Sequence, residues 1–187
     1  MRQNMGSANI RRMDDYRNDD YRNIGASFTT IGLISDTHGL LRREAFDALR
    51  GSDLIIHAGD VGGPEIIEAL KNLAPVIAVR GNTDNEPWAA ELPATAVVEA
   101  GSGLIYVLHD AGKLDLDLPA AGFQMVVTGH SHRPSLTERG GVLHVNPGSA
   151  GPRRFDLPVT VARVNLTRTP WEVNFIHLSS AEHAPDR

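Results

Sequence analysis

Ile31-Gly32-Leu33-Ile34-Ser35-Asp36-Thr37-His38-Gly39 decides how this chain reads: an apolar run, then side chains with donor atoms, then a glycine. A short apolar run without polar alternation suits a strand buried on both faces. Working outward, a helix-like stretch from Leu40 to Leu49 leads to a second run, Leu54 to Ile56, giving a β-α-β rhythm. Pro64 then stands at a helix start, Ile66, Ile67 and Leu70 share one helical face, and Val76 to Val79 reads as another strand. Apolar strands separated by helices predict a parallel sheet covered on both faces.

After Trp88 helices become scarce and strand-like runs take over: Thr95 to Glu99, Leu104 to Leu108, Met125 to Val127, Val142 to Val145, Thr160 to Leu166 and Trp171 to Leu178. With no second linker, repeat or low-complexity tract, the two halves are expected to form one α/β sandwich, mixed sheets facing each other and helices outside. Residues 28–187 are read as this single domain. Residues 1–27, rich in Arg, Asn and Asp with almost no apolar periodicity, are read as a solvated or disordered extension. The stretch Ala111 to Gly122 carries no readable pattern.

Composition excludes several chemistries. There is no cysteine, so disulfides, thiolate metal sites and cysteine nucleophiles are ruled out and any metal must be held by nitrogen and oxygen. A formal charge of −5 and 5% aromatic residues give neither a basic field nor stacking platforms for long nucleic acid, although a small phosphate ester stays open. No apolar run approaches the ~20 residues of a membrane span, and the polar start lacks an apolar leader core, so the expected compartment is the cytoplasm.

Five groups that carry chemistry follow strand-like runs: Asp36-Thr37-His38, Gly59-Asp60-Val61-Gly62-Gly63, Gly81-Asn82-Thr83-Asp84, His109, and Gly129-His130-Ser131-His132. In open α/β sheets ligands bind where the carboxyl ends of strands bring loops together. Asp36 and His38, like His130 and His132, are two apart, and in extended backbone each pair would point to one side. Gly59, Gly81 and Gly129 precede candidate ligands, as expected where the backbone turns sharply or approaches closely. Any one of these motifs alone reads as a helix cap or a turn. The ordered set of seven donors, Asp36, His38, Asp60, Asn82, His109, His130 and His132, exceeds one tetrahedral site and suits two ions sharing a carboxylate. Only the two aspartates are anionic, so a hydroxide and a phosphate would complete the charge balance. Nitrogen-rich donors favour Mn, Fe, Co, Ni or Zn over Mg or Ca.

These motifs resemble the signature of the calcineurin-like metallophosphoesterase superfamily: D-x-H, G-D-x-x-[DG], G-N-H-[DE], H, G-H-x-H. The likeness runs from Ile31 to about Leu178. Ile-Ser-Asp-Thr-His-Gly and Asn146-Pro147-Gly148-Ser149 resemble the small YfcE-type phosphodiesterase branch. The resemblance implies a four-layer sandwich of two mixed β-sheets flanked by helices, with two divalent metals at the sheet edges. Asp36, His38 and His132 would hold one ion, Asn82, His109 and His130 the other, and Asp60 would bridge; manganese is the expected metal by analogy. The implied reaction is in-line attack of a metal-bridging hydroxide on a small phosphodiester, with Asp60, Asn82 and Asp84 as the catalytic residues. Homo-oligomers are expected by analogy, and neither a membrane nor long nucleic acid as a partner.

The chain departs from the family at Thr83, where many members carry a histidine that assists the leaving group. Threonine is too weak an acid to replace it. Asp84 is therefore read in two ways, as a proton donor or as a carboxylate that orients Asn82 or a ligand histidine. Asp110 is read as a solvated loop acid or a partner of a ligand imidazole. His57 and His144 fit no ligand slot and are expected to be packed in strands, Ser149 and Gly148 to brace the His130/His132 loop, and Arg153 and Arg154 to be surface residues or phosphate contacts. The rival functions are a non-catalytic scaffold resembling the retromer subunit of this fold, separable by bound metal, and a phosphomonoesterase or small-nucleotide phosphodiesterase.

Overall fold

The computed structural model describes residues 28–101, 103–154 and 156–178, so the expectation for residues 1–27 lies outside the described residues. Ten strands form two five-stranded mixed sheets. The first is built from β1 (Thr30–Ile34), β2 (Leu54–His57), β3 (Val76–Ala78), β9 (Thr160–Asn165) and β10 (Glu172–His177), in the order β10-β9-β1-β2-β3. The second is built from β4 (Thr95–Ala100), β5 (Gly103–Leu108), β6 (Met125–Val127), β7 (Ser135–Arg139) and β8 (Val142–Asn146), in the order β4-β5-β6-β8-β7. Each sheet has a parallel centre of three strands, β1-β2-β3 and β5-β6-β8, and antiparallel pairing outside it.

Alternation along the strands assigns every layer. Ile31, Leu33, Leu54 and Ile56 from the first sheet meet Val98, Ile105, Val107, Met125, Val127 and Val145 from the second in one shared core. The residues between them face outward: Ile34, Ile55 and Ala78 pack with Ala45 of α1 (Arg43–Ala48), with Leu49 just after it, and with Ile66, Ile67 and Leu70 of α2 (Pro64–Lys71). On the second sheet Tyr106, Leu108 and Val126 are covered by Leu118 and Phe123. That cover comes from the stretch after β5, which contains a single 3-10 turn at Ala111–Lys113, so helices flank one sheet and a packed loop flanks the other.

Two boundaries differ from expectation. The helix expected from Leu40 begins only at Arg43, because Thr37 O accepts from Leu40 N at 2.8 Å and Gly39 has a φ of 78°, so the preceding residues are used up in a turn. β7 was not expected at all; all five of its residues are exposed, and an edge strand without a buried face leaves no apolar alternation to read.

Candidate metal centre

Five of the six strands in parallel pairing carry the candidate donors at their carboxyl ends. Asp36 and His38 follow β1, Asp60 follows β2, Asn82 follows β3, His109 follows β5, and His130 and His132 follow β6. The paired donors do not converge through the extended backbone that their two-residue spacing predicts: Asp36, His38, Asp60, His130 and His132 are left-handed, with φ values of 55°, 46°, 54°, 68° and 58°. Left-handed backbone at a non-glycine residue costs roughly 1–3 kcal/mol and persists only where its surroundings enforce it. Here the loops after β1 and β2 lie side by side, with Asp36, His38 and Gly39 donating to the carbonyls of Gly59, Asp60 and Val61 at 3.0, 2.9 and 2.8 Å. Glycine is required where loops converge. A Cβ at Gly81 would meet Asp60 N and Oδ1 at 2.1 Å, and one at Gly129 would meet Ser35 Oγ at 2.0 Å.

All seven predicted donors come together, in two overlapping clusters. In the first, His38 Nε2 and His132 Nε2 face each other at 3.3 Å, and His132 Nε2 is 3.3 Å from Asp36 Oδ1. In the second, Asn82 Oδ1 lies 3.1 Å from His109 Nε2 and 2.8 Å from His130 Nδ1. Asp60 stands between them, its Oδ2 3.4 Å from His109 Nε2 and 3.9 Å from His38 Nε2. The first cluster is enclosed, with Asp36 and His132 buried, whereas Asn82 and His130 are exposed.

Around these atoms runs a set of braces. The buried carboxylate of Asp84 accepts from three backbone amides, Val61 N at 3.1 Å, Gly62 N at 2.9 Å and Gly81 N at 2.8 Å. Its oxygens are spent holding the Asp60 and Asn82 loops together, which is the orienting role; the proton-donor role expected of it is not supported by this placement. Gly59 N donates to His57 Nδ1 at 3.2 Å, which leaves His57 Nε2 to donate to Thr37 Oγ1 at 2.9 Å, and that hydroxyl donates to Val61 O at 2.8 Å. A buried neutral imidazole thus ties the Asp36–His38 loop to the Asp60 loop, as expected of a packed His57. His109 is oriented by Ala58 O, 2.7 Å from its Nδ1, and Asp60 by Thr83 N, which donates to its Oδ1 at 2.8 Å.

The expected brace on the His130/His132 loop is Asn146 rather than Ser149: Asn146 Nδ2 donates to Gly129 O at 2.6 Å and Ser131 Oγ at 3.1 Å. Ser149 Oγ instead donates to Asp36 O at 3.0 Å. Asp110 partners no imidazole; its Oδ1 accepts from Gly112 N at 2.8 Å and caps the 3-10 turn. His144 is half-buried within β8, and Arg153 and Arg154 are exposed. Backbone partners such as Ala58 O and Thr83 N leave no mark in a sequence. Asn146 had a signal, the Asn-Pro-Gly-Ser turn, but not its target.

The charges are strongly perturbed. Burial pushes the Asp36 carboxyl up to about 6, with the Asp60 charge adding to it, although hydrogen bonds from Ser35 and the His130 amide oppose the rise. For Asp60 burial acts in the same direction, but hydrogen bonds from His109 and Thr83 outweigh it and hold the carboxyl below its ordinary value. Burial lowers His132 to about 4, helped by the Arg154 charge, and lowers His38. Burial alone would lower His109 too, but the Asp60 hydrogen bond and the Ala58 carbonyl raise it.

This donor set fits a cation. The Nε2 atoms of His38 and His132 face each other beside Asp36 Oδ1, nitrogen and oxygen donors of the kind a cation takes, and Asp36 Oδ1 is buried with no hydrogen-bond partner. Asp36, His38 and His132, and likewise Asp36, Asp60 and His109, bring their ligand atoms within 4.8 Å of one another. Residues 30–169 match the family model of the calcineurin-like phosphoesterase superfamily domain. The chain belongs to that superfamily. A probable metallophosphoesterase of Methanothermobacter thermautotrophicus is 35% identical, over 76% of this chain and 90% of that protein. An archaeal phosphodiesterase of solved structure is 25% identical with a TM-score of 0.69, over 80% of this chain and 99% of that one. The fold is also that of Vps29, a vacuolar sorting protein: the Entamoeba histolytica protein, solved in complex with zinc, is 21% identical with a TM-score of 0.57, over 80% of this chain and 99% of that one. Members of this superfamily that are phosphoesterases use divalent metals, and the residues here are of the kind and number to hold them. Among the described residues no helix is long and apolar enough to cross a membrane.

Proposed function

We propose that this superfamily member hydrolyses small phosphodiesters at a dinuclear centre, with Asp36, His38 and His132 holding one divalent ion, Asn82, His109 and His130 the other, and Asp60 shared. Manganese is the proposed metal, in keeping with an oxygen and nitrogen donor set without thiolate. The observation that carries the reading is the convergence of all seven donors, with the buried, unpartnered Asp36 Oδ1 among them. When bound, the ions supply Lewis-acid activation of a phosphoryl oxygen and lower the pKa of water. The protein's part is to hold the donors in register through Asp84, His57 and Asn146 and to orient the Asp60 carboxylate through Thr83 N and His109.

The leaving group follows from what surrounds it. Thr83 is too weak an acid to protonate a departing oxygen, and the Asp84 carboxylate is held by three amides. Esters whose leaving group departs as a stable anion, aryl before alkyl, are therefore favoured. Because a vacuolar sorting protein of the same fold also carries zinc, bound metal does not separate a hydrolase from a scaffold, and turnover is the discriminating measurement.

The test is hydrolysis of bis(p-nitrophenyl) phosphate beside p-nitrophenyl phosphate after chelation and manganese refill, for the parent and for Asp60→Asn. Metal-dependent cleavage of the diester, faster than of the monoester and lost in the variant, is the expected result. A folded protein inactive with Mn, Ni, Co and Zn would overturn the reading in favour of a scaffold.

A further inference from the structure

Beside the exposed half of the donor cluster lies a cleft of about 320 Å³, at the lower end of the range of small-molecule sites. Asn82 and His109 form the wall shared with the donor cluster, the exposed Ala94 and half-buried Thr95 give the surface beside it, and Arg80 and Lys113 complete the lining. Both cations are exposed, and among the described residues neither has a carboxylate within 4.0 Å or donates a side-chain hydrogen bond to the protein. The surface arginines and lysine nearest the two helices are engaged instead: Arg43 and Arg50 pair with Asp47, and Lys71 pairs with Glu68.

Two carboxylates, Asp110 and Asp115, also line the cleft. Asp110 is committed to the turn that carries Lys113: its Oδ1 accepts from Gly112 N at 2.8 Å, and its carbonyl accepts from Lys113 N at 3.0 Å. The turn therefore fixes the Lys113 backbone at the cleft wall while its ammonium keeps three unclaimed N–H donors. Arg80 is fixed likewise, its amide donating to Pro93 O at 2.8 Å, immediately before Gly81 and the ligand Asn82. Recognition of an oxyanion depends on directed, unclaimed donors rather than on the net charge of a lining.

We propose that this cleft receives the second substituent of the diester, and that Arg80 and Lys113 select substrates in which that substituent carries its own anionic group, a carboxylate or a second phosphate. The inference rests on the phosphodiesterase reading above, which places the scissile phosphate against Asn82 and His109. Ala94 and Thr95 would lie against the uncharged body of the substituent, an aryl ring or a pentose. In bis(p-nitrophenyl) phosphate the second substituent is an uncharged ring that would leave both cations idle.

The experiment is calorimetric titration of the manganese-loaded protein with phenyl phosphate, 4-carboxyphenyl phosphate and 1,4-phenylene bisphosphate. Parent, Arg80→Gln, Lys113→Gln and the double variant are compared. The expected result is about tenfold tighter binding of at least one of the two rings that carry a second anionic group over phenyl phosphate, the scale of one charge-assisted hydrogen bond. That preference shrinks in each single variant and is lost in the double variant, and whichever of the two anionic ligands gains more identifies carboxylate or phosphate as the second group. Equal affinity for all three ligands, or a preference that survives the double variant, overturns the inference and leaves the phosphoesterase reading intact. Failure of all three to bind also overturns the inference, while the phosphodiesterase reading stands or falls separately on turnover of bis(p-nitrophenyl) phosphate.

Discussion

The two halves of the donor cluster are built from the same chemistry and housed differently. Asp36 and His38 sit in a loop locked to the Asp60 loop by backbone pairing and by the His57–Thr37–Val61 chain, Ser149 Oγ and His130 N both donate to Asp36, and Asp36 and His132 are buried. Asn82 and His130 are exposed, and Asn82 and His109 border an open cleft. The enclosed half is organised to hold an ion, and the open half to hold one while admitting a ligand. Burial strengthens electrostatic attraction to a cation as well as the cost of leaving the anion alone, so the halves should differ in affinity.

The largest effect should come from the residue the halves share. Asp60→Asn removes the carboxylate that stands between His109 and His38 and is expected to lower diester turnover on the order of 10³-fold, several kcal/mol of transition-state stabilisation. A variant that kept full activity would break the idea of a shared ligand.

Next comes the brace that joins the halves. Asp84→Asn sets an amide NH₂ among three backbone donors that now face a carboxylate, and should cost about 2–3 kcal/mol in urea denaturation. If the halves are coupled through Asp84, the same variant weakens metal binding about 10- to 100-fold; a stability loss with unchanged metal affinity would uncouple them.

The enclosed half carries its own pH dependence. Burial holds the His57 imidazole down to about 4, against an ordinary 6.5. Above pH 6.5 the ring is neutral whether the chain is folded or not, so stability is flat. Between pH 6.5 and 4 the unfolded chain takes a proton that the folded protein refuses, and stability falls with falling pH by up to about 3 kcal/mol, levelling below pH 4. Denaturation of the parent and of His57→Gln in chelator, at several pH values across this window, should show a shallower slope in the variant. Parallel slopes would mean that the ring is not the buried neutral group the geometry describes.

The smallest expected effect is the sharpest comparison of the halves themselves. Graded chelation should release manganese in two steps separated by about tenfold in affinity, 1.4 kcal/mol, with Asn82→Ala abolishing the weaker step. Release in one step would erase the difference between enclosed and open halves.

Much of this was legible before any coordinates. Ile31–Ile34 and Leu54–Ile56 read as strands because both their faces are buried, and the donors stood out because each follows such a run. β7 was silent because every residue in it is exposed, and the loop covering the second sheet because Leu118 and Phe123 have no period to announce them. The spacing of the paired histidines and aspartate pointed to convergence, but for the wrong local reason, since the backbone there is left-handed rather than extended.

What the order of residues determined by itself is the inventory: strand faces, the absence of thiolates, and seven nitrogen and oxygen donors at strand ends. These are properties of side-chain type and short-range period, which a linear chain carries. Only the tertiary structure decided which donors meet and what holds them, because His38 and His132 are 94 residues apart and Asp84 acts through amides 22 and 23 positions away. Those contacts depend on two sheets packing face to face, so that strand ends distant along the chain share one rim, and on backbone atoms that every residue carries alike.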